Sequence, residues 1–271
     1  MTPHRLTDLA YPGRHGLLSH KSQGGELDYF AYVPRSISPA SSLLVTVHGI
    51  DRKALQHAMR FAPWAEQRNF VVLAPHFSKA RMPRYQKTLP GPSGESPLDA
   101  LDLTVDHFLR ATGIRPAMKN LFGYSGGAQF AQRYVLRGRL SWDKLVLAAP
   151  GWFTMPDPEL PFPYGLGASL AAGACLPELD RLLTTPTLVL VGSEDTHRDS
   201  SLNREQQIDA VQGLTRLERA GRWTEAMTAE AARRGVRSLV HLQTLPGAGH
   251  DFEDNMKSHD LGRIVCDWLD E

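Results

Sequence analysis

A chain of 271 residues is long enough for one α/β domain with a sizeable core, and its 30 Lys and Arg nearly balance 29 Asp and Glu. No basic stripe interleaved with aromatics is visible, which argues against nucleic acid or an anionic membrane as partner and for a small, weakly charged molecule. The N-terminus lacks the apolar core of a signal peptide and no stretch reaches the length of a membrane span, so the cytoplasm is the expected location.

The first predicted elements are two strands, GLLSH and LDYFAYVP, arranged as a hairpin around Gly24 and Gly25. The strand LLVTVHG follows at 43–49, then a helical pattern at about 53–68 and the strand NFVVLAPHF at 69–77. A helical pattern at about 97–112 leads into KNLFGYS, and another at about 127–138 leads into KLVLAAPGW. The last strands are TPTLVLVGSED at 185–195 and RSLVHLQTLPGAGH at 237–250, each followed by a helical pattern, at about 203–234 and 252–270. The middle strands are continuous apolar runs, as a parallel sheet covered on both faces requires. The expectation is a single α/β domain over 1–271 with a mostly parallel, eight-stranded sheet and helices on both faces.

Two segments break the alternation. Residues 78–97 form a long polar loop after the fourth strand, and residues 153–184 form a proline- and glycine-rich insertion after the sixth, read as a cap or lid. Both follow the C-terminal ends of strands, where open α/β sheets build their binding crevice, so both are expected to wall the site. Cys175 and Cys266 lack a CxxC spacing and imply neither a zinc site nor a disulfide framework; free buried thiols or one disulfide stay open.

The chemistry is concentrated at strand ends. In Gly123-Tyr124-Ser125-Gly126-Gly127 a strand runs directly into a helix, and a turn that tight forces the serine into a strained conformation while glycines relieve the crowding. A serine hydroxyl is a weak nucleophile at neutral pH and needs a base within hydrogen-bond reach and a group that orients the base. Gly192-Ser193-Glu194-Asp195 after the seventh strand and Gly247-Ala248-Gly249-His250 after the eighth supply them in the order Ser, Asp, His. His250 would take the Ser125 proton, so activity should rise with pH as the imidazole deprotonates, and Asp195 would fix its tautomer. Glu194 and Asp199 compete for the acid role, whereas His241 lies inside a strand and reads as structural.

A tetrahedral intermediate also needs two backbone N–H donors. Gly126, after the serine, and Ile50, after the His48-Gly49 turn, are the candidates for this oxyanion hole. Trp152, Phe153, His76 and Phe77 follow strand ends and are candidates for lining acyl and alcohol pockets, with core packing the alternative for each. Tyr124 reads as a packing residue within the turn.

VTVHG, GYSGG, VGSED and PGAGHDF, in this order over the whole chain, resemble the α/β-hydrolase family. LDYFAYVP ahead of the HG strand is similar to the subgroup of polyhydroxybutyrate depolymerase-like and feruloyl-type esterases. The turn reads His48-Gly49-Ile50-Asp51 and lacks the HGGG run of many lipases and esterases. The resemblance implies a serine hydrolase that cleaves small carboxylic esters through an acyl-enzyme, with no metal and no cofactor. A thioesterase, lactonase or peptidase with the same residues stays open, as does a non-catalytic ligand receptor, and the oligomeric state is unassigned.

Overall fold

Alternating hydrophobic strands determine how the chain is layered. In the structure, a computed structural model describing residues 7–8, 15–38, 41–168 and 178–271, nine strands form one sheet in the order β1-β2-β3-β5-β4-β6-β7-β8-β9. The eight expected strands are β2 (Gly16–His20), β3 (Asp28–Val33), β4 (Leu43–Val47), β5 (Val71–His76), β6 (Lys119–Tyr124), β7 (Lys144–Ala148), β8 (Thr187–Gly192) and β9 (Val240–Leu245). The ninth, β1, is the two-residue edge Thr7–Asp8, too short to leave a period in the sequence. β3 pairs antiparallel with β2 and β5, and every pairing from β5 through β4 to β9 is parallel. This is the α/β-hydrolase fold.

The period of two along each strand divides the core. Leu43, Val45 and Val47 of β4, Leu145 and Leu147 of β7, and Val189 and Val191 of β8 face one layer. There they meet Phe108 of α2 (Pro97–Thr112), Phe130 and Tyr134 of α3 (Gly126–Arg137), and Trp223 of α6 (Arg216–Arg233). Leu44, Phe122, Val146, Leu188 and Leu190 face the other layer, against Phe61 of α1 (Ala54–Arg68), Phe252 of α7 (Phe252–Ser258) and Val265 of α8 (Leu261–Asp270).

Two helical expectations are corrected. The pattern at 203–234 is two helices, α5 (Gln206–Gln212) and α6, because Gly213 has φ of 102° and Thr215 caps α6 by accepting from the Glu218 N–H. The pattern at 252–270 is likewise divided, between α7 and α8, where Asp260 sits at φ of 57°. The insertion after β7, expected as a cap or lid, contains at its end the short helix α4 (Leu179–Thr184). Cys175 lies outside the described residues, and Cys266 is a buried free thiol in α8.

The chain leaves β4 for β5 on one side and returns to β6 on the other, which opens a crevice at the C-terminal ends of these strands. The turns after β4, β6, β8 and β9 all emerge at that end, since these strands run parallel in register.

Candidate active site

The turn from β6 into α3 is as tight as its glycines suggested. Ser125 has φ of 52° and ψ of −114°, a conformation held by its N–H on the Ala148 carbonyl at 2.8 Å and by its own carbonyl, which accepts from Ala128 and Gln129. A Cβ on Gly123 would run into the Gly127 carbonyl, and one on Gly127 into the Val47 carbonyl. Strand β6, helix α3 and the end of β4 are therefore in backbone contact, which fixes the serine relative to the turn after β4.

Ser125, His250 and Asp195 are brought together. The Ser125 hydroxyl lies 3.0 Å from His250 Nε2, and His250 Nδ1 lies 2.7 Å from Asp195 Oδ2. With a carboxylate as acceptor, Nδ1 carries the proton and donates, leaving the Nε2 lone pair to accept the serine O–H. Asp195 is buried, whereas Glu194 and Asp199 are exposed and neither touches the imidazole. The acid loop and the histidine loop are joined directly: Glu194 N–H donates to the Ala248 carbonyl at 2.9 Å and Gly247 N–H to Ser193 Oγ at 2.8 Å. A Cβ on Gly192 would collide with the Ala248 carbonyl, which is the physical reason for glycine at that strand end. Asn255 holds the histidine loop by donating to the Gly249 carbonyl and to Tyr124 Oη.

Behind Asp195 stands Arg216, itself buried, with Nη1 donating to Asp195 Oδ1 at 3.1 Å and Nη2 to Ser201 Oγ at 2.7 Å. Asp199 reaches the same guanidinium at 3.4 Å; hydrogen bonds from Ser201 and this cation hold its carboxyl well below the usual range against a partial burial cost. Asp195 therefore has one oxygen for the histidine and one for a buried cation, an arrangement that orients the carboxylate without adding a net buried charge. Arg216 lies 21 positions from Asp195 on another element, a separation without a sequence pattern.

The turn that carries Ile50 is anchored on three sides. His48 is fully buried, accepts the Phe77 N–H on Nε2 at 3.1 Å and donates from Nδ1 to the Gly49 carbonyl at 2.7 Å. Burial pushes its pKa down to about 3, so it is neutral, as those two bonds require. Tyr85 Oη donates to the His48 carbonyl at 2.6 Å, and Arg52, with φ of 62°, donates to the Phe77, Met82 and Pro83 carbonyls. The Gly126 Cα lies beside this turn, and a side chain there would meet Ile50 Cγ2 at 2.8 Å and Ile50 N at 3.3 Å. As the first residue of α3, Gly126 has an N–H with no carbonyl one turn back to receive it.

A cavity of about 150 Å³ beside Ser125 is lined by Gly49, Ile50, Asp51, His57, Tyr124, Ser201, His250, Asp251 and Phe252. None of the four aromatic candidates lines it. Phe77 stacks on Tyr85 at 4.8 Å, Phe153 stacks on Trp223 at 4.7 Å, and Trp152 is buried between Tyr164 and the Arg133 guanidinium. His76, half-buried at the end of β5, packs 5.8 Å from the His48 ring. The core alternative holds for the three large aromatics, since Tyr85 of loop 78–97 covers Phe77, Trp223 of α6 covers Phe153, and Tyr164 and Arg133 pack against Trp152. That loop supports the Ile50 turn through Tyr85 and the Arg52 acceptors instead of lining the cavity.

No protein-family model matches the chain, and no curated protein matches it. Among solved structures it is similar to poly(aspartic acid) hydrolase-1 from Sphingomonas sp. KT-1, with 26% identity over 95% of this chain and 100% of that one and a TM-score of 0.80. A poly(3-hydroxybutyrate) depolymerase from Bordetella parapertussis is 25% identical over 97% of this chain and 92% of its own, with a TM-score of 0.78. An S-formylglutathione hydrolase from Agrobacterium tumefaciens, 16% identical over 94% of this chain and 92% of its own with a TM-score of 0.57, shares the fold. The fold is that of the α/β-hydrolases, and the structures most like it in sequence and shape among these are hydrolases, which supports a hydrolase as the coarse class of this chain. Within that class its resemblance is to the polyhydroxybutyrate depolymerase-like subgroup.

Proposed function

We propose that the protein is a serine hydrolase of small, uncharged carboxylic esters that works through an acyl-enzyme. The observation that carries this reading is the continuous relay from Ser125 Oγ through His250 to Asp195, at 3.0 and 2.7 Å. Nε2 of His250 removes the hydroxyl proton as Oγ attacks the ester carbonyl, and Asp195 stabilises the imidazolium that results. The oxyanion is received by the N–H groups of Ile50 and Gly126. Collapse of the intermediate expels the alcohol, which takes its proton from Nε2; a water activated by the same nitrogen then releases the acid.

The substrate class follows from the cavity. Its lining holds two carboxylates, Asp51 and Asp251, and no Lys or Arg among the described residues. A polyanion would meet like charge beside the reacting carbonyl, which disfavours an aspartate polymer of the kind named for the Sphingomonas neighbour. Neutral p-nitrophenyl esters, a matching thioester and amide, and short oligomers of 3-hydroxybutyrate and of aspartate form the deciding panel. Like-charge contact costs several kcal/mol, so the neutral esters should exceed the aspartate oligomer by at least about a hundredfold in kcat/KM. Preference for the thioester, the amide or the aspartate oligomer would replace the ester reading.

A further inference from the structure

We propose that His20, Glu26 and His107 bind one divalent transition-metal ion of the zinc class, away from the serine site. Each residue offers a ligand atom, and the three atoms lie within 4.8 Å of one another. They come from three segments already tied together: His20 ends β2, Glu26 lies in the β2–β3 connection, and His107 lies on α2. None of them lines the cavity at Ser125.

The geometry favours an ion over an ordinary polar cluster. Glu26 is buried, and its carboxylate is aimed by backbone donors, Gln23 N–H on Oε1 at 2.8 Å and Gly24 N–H on Oε2 at 3.2 Å. His20 Nε2 is 3.1 Å from Oε1, and the His20 and His107 rings lie 4.2 Å apart between centroids. The Nδ1 of His107 is engaged by the buried Tyr29 hydroxyl at 3.0 Å, which leaves Nε2 as its free ligand atom and fixes the ring orientation. An outer partner of that kind is what ligating imidazoles use. Ligands about 2.0 to 2.2 Å from zinc stand roughly 3.3 Å apart, so modest side-chain rotations close the set around an ion. Two imidazoles and one carboxylate, with water in the fourth position, suit zinc and its neighbours and disfavour magnesium and calcium.

The ion would link the β2–β3 hairpin to α2, a junction also held by the Leu27 N–H on Thr104 Oγ1 at 2.8 Å and by the Tyr29 hydroxyl at His107. Its role is therefore structural, and it takes no part in the hydrolytic cycle. The test uses the full chain, treated with a chelator and exchanged into metal-free buffer. Zinc chloride titrated calorimetrically should bind at one equivalent and raise the thermal midpoint, with magnesium chloride giving neither. His107→Ala and the near-isosteric Glu26→Gln, each checked for native circular dichroism, should weaken zinc binding at least about tenfold. Tight binding that survives both substitutions, or that is lost in His250→Ala instead, would overturn the proposal. So would an absence of binding to the native protein.

Discussion

Among the three acids that follow β8, only Asp195 faces the imidazole. Its shorter side chain leaves fewer torsions to fix, and Arg216 fixes the rest from the opposite side. Asp195→Asn keeps the shape but favours the wrong histidine tautomer, so kcat should fall by up to roughly 10⁴, as in serine proteases. Glu194→Gln, exposed and outside the relay, should cost less than about tenfold. Steady-state kinetics on one ester separates the two, and a mild Asp195→Asn beside a crippled Glu194→Gln would refute the assignment. The serine, the histidine and this acid were legible because each sits in a short glycine-bearing turn at a strand end, where local pattern and chemistry coincide. Arg216 and Arg52 were not, because each acts on residues far along the chain and neither sits in a local motif. Trp152, Phe153 and Phe77 were placed at the crevice by strand position alone, and position along the chain does not tell which side of a covering loop a ring occupies.

Every one of the eight longer strands was legible, because a buried parallel strand leaves an apolar run that survives without any neighbour. Helix breaks at Gly213 and Asp260 were not, because buried residues recur at helical spacing on both sides of each reset of the backbone. The elements on either side of the site also set a pH dependence. His48 opens the turn after β4, and His57 lies on α1, hydrogen-bonded to Thr46 and stacked on Phe252 at 3.9 Å. Burial holds His48 at about 3 and drives His57 well below its ordinary value. In the unfolded chain both titrate near about 6.5, so below that pH the unfolded state binds more protons than the folded one. The stability they contribute is complete above that value and is lost as pH falls toward the folded pKa. Carboxylates such as Glu230, lowered to about 2 chiefly by hydrogen bonding to Arg233, add their loss only at lower pH. The urea midpoint should therefore fall between about pH 7 and about pH 5 with an unchanged slope. A flat midpoint over that interval would show that neither imidazole is held neutral by the fold.

At the scale of the whole molecule, four strand ends converge on one serine. Parallel pairing from β5 to β9 places the turns after β4, β6, β8 and β9 on the same edge, so donors, nucleophile, acid and base meet although they lie 200 residues apart between Ile50 and His250. Among the described residues no helix is long and apolar enough to cross a membrane. This convergence should make one hydroxyl nucleophilic and leave every other serine inert. Intact-mass analysis after incubation with a fluorophosphonate tests that most directly. The wild-type protein should gain one adduct, mapped by peptide sequencing to Ser125, and Ser125→Ala, which removes only a hydroxyl from a turn built by glycines, should gain none. An unlabelled wild-type protein, or an adduct formed as fast in Ser125→Ala, would contradict it.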